Sequence, residues 1–132
     1  MTAAVDFQDV LVVDDESDIL ESIVMYLSME LDGVTVLKAH DAHEGLDILN
    51  DHQVAVVVSD FRMPGMDGLE FLIEVHRQRP ELHTIMMTAY PDAALEFSAK
   101  KDAGVSLFLA KPPKMDVLVA AIQRAINGEP PT

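Results

Sequence analysis

The segment Val56-Val57-Val58-Ser59-Asp60-Phe61-Arg62-Met63-Pro64-Gly65-Met66-Asp67-Gly68 changes character abruptly at its fifth residue. The valines read as a buried strand, the run stops at one carboxylate, and a proline and two glycines then turn the chain toward a new helix. Asp60 therefore stands where a strand ends, which in open α/β sheets is where ligands bind. A core strand gains nothing from a terminal Asp, and a buried carboxylate without a partner is costly. Asp60 should have partners, and they must come from elsewhere in the chain.

Upstream, Val10-Leu11-Val12-Val13 is a second fully apolar run, ending in Asp14-Asp15-Glu16. Ile19, Ile23, Leu27 and Leu31 then recur every fourth residue, one face of a helix from Ser17 to about Leu31 with Ser17 and Asp18 at its start and Asp32-Gly33 at its end. Val34 to Leu37 reads as a short strand, and Asp41 with Glu44 as a capping box opening a helix to about Asn50. The Val54 to Ser59 strand follows. Gly68 to Arg77 is the next helix, with Leu69, Leu72 and Ile73 inward and Pro80 closing it. Thr84 to Met87 is a strand ending at Thr88. Asp92 caps a helix to about Asp102 whose small residues Ala93, Ala94 and Ala99 grip the core weakly, and Gly104 ends it. Val105 to Ala110 is the last strand, stopping at Lys111-Pro112-Pro113, and Val117, Leu118, Ala121, Ile122, Ala125 and Ile126 stripe a final helix ended by Asn127-Gly128.

Five strands without polar alternation, each followed by a helix, predict an α/β fold: a single doubly wound (βα)5 domain whose parallel sheet is covered on both faces. Residues 9–127 form that domain, residues 1–8 a short loose arm, and residues 128–132 a tail, either a natural end or a linker cut short. At 132 residues the chain holds one core and no second globular unit. No apolar run approaches the roughly 18 residues of a membrane span and the N-terminus lacks a signal peptide's basic start, so a cytoplasmic protein without membrane contact is expected. The absence of Cys excludes disulfides, thiolate metal sites and thiol catalysis. A formal charge of -14 disfavours direct nucleic-acid contact, which rests on Lys and Arg neutralising phosphates; its plainest meaning is solubility.

Asp14, Asp15, Asp60, Thr88 and Lys111 all lie at strand ends that share one edge of such a sheet, so their side chains can converge. Two carboxylates about 4 Å apart repel by roughly 4 kcal/mol at an intermediate dielectric, so cations must sit among them. Lys111 is one. With oxygen ligands only, a hard divalent ion is the other, Mg2+ by preference with Mn2+ tolerated. Mg2+ is commonly shared between carboxylates and a phosphate, and a carboxylate can itself be the nucleophile, giving an aspartyl-phosphate. Lys111 and the Thr88 hydroxyl would then stabilise charge on the transferred oxygens. Taken singly, each of these residues has a plainer explanation as a cap, a strand end or a solvated surface group. Taken jointly, at the ends of successive apolar strands, they do not.

Val12-Val13-Asp14-Asp15, Asp60 with its Met63-Pro64-Gly65-Met66-Asp67-Gly68 continuation, Thr88-Ala89, and Phe108-Leu109-Ala110-Lys111-Pro112 resemble the receiver domain of two-component response regulators, over about residues 9–127. That resemblance implies a flavodoxin-like fold with strand order 2-1-3-4-5. It implies that Asp60 is the phosphoacceptor, taking a phosphoryl group from the phosphohistidine of a sensor histidine kinase or phosphotransfer protein. Asp15, Asp60 and the backbone carbonyl of Arg62 would ligate Mg2+ directly and Asp14 through water. Thr88 would turn inward to bond one phosphoryl oxygen, Lys111 would pair with another, and Phe108 would pass from exposed to buried, switching the face made by the fourth helix, fifth strand and fifth helix. A cis Lys111-Pro112 bond is expected as well. Such a domain is a signalling switch that assists its own phosphorylation and dephosphorylation, not a turnover enzyme.

Pro91 follows Tyr90 where a small flexible residue is common, and should stiffen that loop. Arg62 and Tyr90 flank the expected phosphoryl site and are candidates for setting the lifetime of the phosphorylated state. A Mg2+-dependent aspartyl-phosphate phosphohydrolase is the alternative, but such enzymes usually place a second Asp two residues after the nucleophile, where this chain has Arg62. A pseudo-receiver adaptor working by binding alone is disfavoured by the complete set of five residues. His40, His43, His52, His76 and His83 share no motif with the carboxylates, and Met25 and Met29 are core filler or flanking residues before they are a partner surface. The cognate kinase and the output domain or target are not written in these residues, and homodimerisation through the last strand and helix is compatible with them.

Overall fold

The computed structural model describes residues 9–131. The expected arm over residues 1–8 lies outside that range, as does Thr132 of the expected tail. Side chains alternate across a strand, so a strand apolar at every position needs cover on both faces. The chain supplies it with β1 (Asp9–Val13), α1 (Ser17–Glu30), β2 (Val36–Ala39), α2 (Ala42–Asp51), β3 (Val54–Asp60), α3 (Gly68–Gln78), β4 (His83–Thr88), α4 (Ala93–Asp102), β5 (Leu107–Ala110) and α5 (Met115–Ile126). The sheet is five-stranded and parallel in the order β2-β1-β3-β4-β5, as the resemblance implies. The core accordingly divides in two. Val10, Val12, Val56, Val58, Ile85 and Met87 pack with Leu20, Ile23 and Leu27 of α1 and Leu118 and Ile122 of α5. On the other face Leu11, Val13, Val57 and Met86 pack with Leu49 of α2, Phe71, Leu72 and Val75 of α3 and Ala99 of α4.

Where the structure differs from the sequence reading, local bonds explain it. β5 begins at Leu107, two residues later than expected, because the Val105 N–H is spent on the Ala99 carbonyl, closing α4 around Gly104 at φ 62°. β2 is shifted to Val36–Ala39 at the sheet edge. In α3 the buried set is Gly68, Phe71, Leu72 and Val75, while Ile73 is exposed. At α2, Asp41 accepts from the Glu44 N–H at 2.8 Å, but the Glu44 carboxylate takes the N–H of His40, one residue before the cap. The reciprocal box is complete at α3 instead, between Asp67 and Glu70. The N-cap of α1 is Glu16, whose side chain makes no cap bond. Among the described residues no helix is long and apolar enough to cross a membrane.

Candidate functional site

Parallel pairing of β1 with β3 sets Val13 beside Ser59, so the next residue of each strand, Asp14 and Asp60, arrives at the same point of the sheet's C-terminal edge. One carboxylate oxygen from each of Asp14, Asp15 and Asp60 lies within 4.8 Å of the others. Asp14 and Asp60 are buried and Asp15 is exposed. Lys111 reaches in from the end of β5: its Nζ is 2.7 Å from Asp14 Oδ2, 3.1 Å from Asp60 Oδ2 and 3.2 Å from Glu16 Oε1. The Lys111-Pro112 peptide is cis.

The charges in this cluster are unequally matched. Burial pushes the Asp60 carboxyl above its ordinary value and the Asp14 charge adds to that, while Lys111 pulls it back only in part. Burial alone would depress Lys111, but Asp14 and Asp60 outweigh it and hold the ammonium above the usual lysine value. One cation thus faces three aspartates and a glutamate. Asp14 Oδ2 is fully buried against the Lys111 ammonium, which is its nearest cation. Three carboxylates gathered around a single ammonium, all with oxygen ligands, fit a hard divalent cation.

Thr88 closes β4 beside the cluster, buried, its Oγ1 accepting from the Tyr90 N–H at 3.2 Å. Its carbonyl accepts from the Lys111 N–H at 2.8 Å, tying the ends of β4 and β5 together. Phe108 is half-buried on β5, opposite Met86, and packs against the α2–α4 side of the core. The Arg62 guanidinium stands 6.0 Å from the centre of the exposed Tyr90 ring, and both residues line a cleft that reaches Thr88, with Asp92, Leu95 and Ser98 of the α4 entry opposite. A second cleft, between Asp15, Arg62, Met63 and Pro64, opens on the carboxylates from the other side. The five strand-end residues are thus brought to one edge, with the three aspartates clustered, Lys111 on Asp14 and Asp60, and Thr88 alongside.

Two features escaped the sequence reading. Gly68 is needed for space: a Cβ there would lie 2.1 Å from the Asp60 carbonyl oxygen, and the Gly68 N–H donates to the Phe61 carbonyl at 2.7 Å. The start of α3 is thereby packed directly onto the backbone of the acceptor candidate. Gly65, by contrast, is needed for its backbone, at φ 78° in open space. The second feature is Glu16 as a partner of Lys111. Its only sequence signal is adjacency to Asp14-Asp15, because the contact spans 95 positions.

The family model described as response regulator receiver domain matches residues 10–123. The transcriptional regulatory protein GlrR of Escherichia coli K12 is 36% identical over 124 residues, which are 92% of this chain and 27% of GlrR. The DNA-binding transcriptional regulator NtrC of the same organism is 37% identical over 118 residues, 89% of this chain and 24% of NtrC. The chain therefore spans about a quarter of the length of these curated relatives. Among solved structures, a response regulator receiver domain protein from Clostridium thermocellum superposes with a TM-score of 0.83 at 34% identity, covering 91% of this chain and 94% of that one.

Proposed function

Because this chain belongs to the response regulator receiver domain family, the signalling switch of two-component systems, we propose that Asp60 is its phosphoacceptor and that Thr88, Lys111 and Phe108 turn the modification into a change of surface. The observation that carries this reading is the cluster itself: Asp60, last residue of β3, is buried beside Asp14 and held by the Lys111 ammonium. An Asp60 carboxylate oxygen would attack the phosphorus of a partner's phosphohistidine. The P–O bond of an acyl phosphate forms as the P–N bond breaks, and the departing imidazole takes a proton from solvent. Lys111 would donate to one phosphoryl oxygen, neutralising charge that develops during transfer. Mg2+, or Mn2+, held by Asp14, Asp15, Asp60 and the Arg62 carbonyl would supply the remaining neutralisation and orient the transferred group.

The Thr88 hydroxyl is engaged by the Tyr90 N–H as an acceptor, which leaves its own proton free to donate. Donation to a phosphoryl oxygen draws the β4–α4 loop toward Asp60, and the space it vacates admits Phe108 from its half-buried position. Moving a population from 1:99 to 99:1 needs about 5.5 kcal/mol of differential stabilisation, to be met by the phosphoryl group's two new donors together with the charge neutralisation that Mg2+ would supply. The stacked Arg62 and Tyr90 roof the cleft over Thr88 and are proposed to govern how readily water reaches the acyl phosphate. The domain spans residues 9–127 with a short tail after it. Its phosphoryl donor is a sensor histidine kinase or phosphotransfer protein in the cytoplasm, and its output passes to a further domain or a separate protein.

Intact mass after incubation with acetyl phosphate, with and without Mg2+, on wild type and Asp60→Asn tests the reading. One phosphoryl group gained only with Mg2+ and lost in the variant is expected. Steady release of inorganic phosphate with no adduct would favour a phosphohydrolase, and no reaction at all would leave an adaptor that works by binding.

A further inference from the structure

Ser59 is the one polar residue of β3 before Asp60, and it is fully buried. A buried hydroxyl is costly unless it is bonded, and this one donates to the Asp60 carbonyl oxygen at 2.9 Å. A second observation is independent of the first. The peptide unit joining Asp60 to Phe61 is planar, so its two ends move together, and its other end is held as well: the Phe61 N–H donates to the Met87 carbonyl at 2.9 Å. Gly68 packs on the same Asp60 oxygen so tightly that any Cβ there would collide with it. The backbone that carries the Asp60 carboxylate is thus fixed at its oxygen by a side chain and at its nitrogen by the neighbouring strand.

We propose that Ser59 is a positioning residue for Asp60: its hydroxyl sets the tilt of the Asp60–Phe61 peptide and, through it, the direction in which the carboxylate is presented for attack on phosphorus. The inference rests on Asp60 as acceptor. The Lys111 ammonium holds the carboxylate's charge, but the attacking oxygen must also be aimed at the incoming phosphorus, and a misplacement of about 1 Å costs about a hundredfold in rate. β3 ends at Asp60, where a strand's ladder ceases to fix the tilt of each peptide from both sides. Ser59 supplies that restraint at the oxygen. It acts through the backbone and not on the phosphoryl group itself.

The test compares wild type, Ser59→Ala and Ser59→Thr by the second-order rate of phosphoryl uptake from acetyl phosphate in Mg2+, read by intact mass, and by amide hydrogen exchange of the metal-free proteins. Ser59→Ala is expected to slow uptake about two- to tenfold, the span of one net hydrogen bond. It should also quicken exchange of the Phe61 N–H by a similar factor beyond any change at Val56, Val57 and Val58. Ser59→Thr keeps the hydroxyl and should recover both. Unchanged uptake in Ser59→Ala overturns the inference. So does Phe61 exchange that changes no more than that of the three valines, because the serine would then serve the strand's stability as a whole. A Ser59→Thr no better than Ser59→Ala overturns it too, since the hydroxyl would not be what matters. Failure of wild type itself to take up a phosphoryl group would overturn the acceptor reading and the role of Ser59 with it, whereas the Phe61 exchange reports the bond independently of that chemistry.

Discussion

Helices α3 and α4 lie on the same face of the sheet, yet they are held in different ways. α3 buries Phe71, Leu72 and Val75, starts in a complete capping box, and sits by Gly68 directly on the Asp60 backbone. α4 has an N-cap bond from Asp92 but buries only Ala99, and its one aromatic residue, Phe97, is exposed beneath Lys101. At about 1.5–3 kcal/mol for each large apolar side chain fully buried, α3 is anchored several-fold more strongly. The difference teaches where a local charge event can travel. Under the proposed role of Asp60, α3, packed on the β3 backbone, would be the rigid reference and the weakly gripped α4 beyond Thr88 the element that shifts, as low-stability elements in switches commonly are.

The sharpest way to break this comparison is to truncate one aromatic residue in each helix. Phe71→Ala should destabilise the domain by about 3–5 kcal/mol, whereas Phe97→Ala should cost less than about 0.5 kcal/mol. Urea unfolding of both variants decides it, and similar costs would end the distinction.

A smaller effect probes the functional end. Asp60 has its folded carboxyl pKa raised by burial, so its contribution to stability is present at low pH and is lost as pH rises through that folded value. At neutral pH its charge is therefore a burden on the fold. Asp60→Asn should stabilise the metal-free domain by about 1 kcal/mol at pH 7 while abolishing phosphoryl uptake. The gain should shrink as pH falls through the folded value toward the ordinary carboxylate range. Thermal unfolding across pH measures it, and a variant less stable than wild type at pH 7 would contradict the sign.

Of similar or smaller size is the effect of Thr84, which is buried on β4 with an unpartnered hydroxyl. Thr84→Val should be neutral or stabilising by up to about 1 kcal/mol, again read by unfolding. Smallest in free energy are the roof residues. Arg62→Ala and Tyr90→Ala should each alter the dephosphorylation rate about two- to fivefold, the worth of an exposed cation–π contact, with little change in melting temperature. Unchanged rates would remove their role.

The same contrast marks how far the sequence could be read. β1, β3 and β4 were legible because strands buried on both faces carry unbroken apolar runs, Val10–Val13, Val54–Val58 and Ile85–Met87, and each run leads to a polar residue that the fold brings to one edge. The edge strands β2 and β5 were misplaced at their starts because their ends are governed by bonds to neighbours, such as the Val105 N–H closing α4. The inward face of α3 was read as Leu69, Leu72 and Ile73. Gly68 sits against the Asp60 carbonyl, and the residues in register with it, Phe71, Leu72 and Val75, are buried while Ile73 is exposed. Asp14, Asp15, Asp60, Thr88 and Lys111 were legible as a set because each closes a strand or adjoins its end. Glu16 was not legible as a Lys111 partner, since its pairing depends on two chain ends meeting in space.

The most direct measurement is amide hydrogen exchange with and without acetyl phosphate and Mg2+, on wild type and Asp60→Asn. Altered exchange is predicted over the β4–α4 loop, α4 and β5, with α3 unchanged and no response in the variant. A response centred on α3 with α4 silent, or an equal response in Asp60→Asn, would contradict the account.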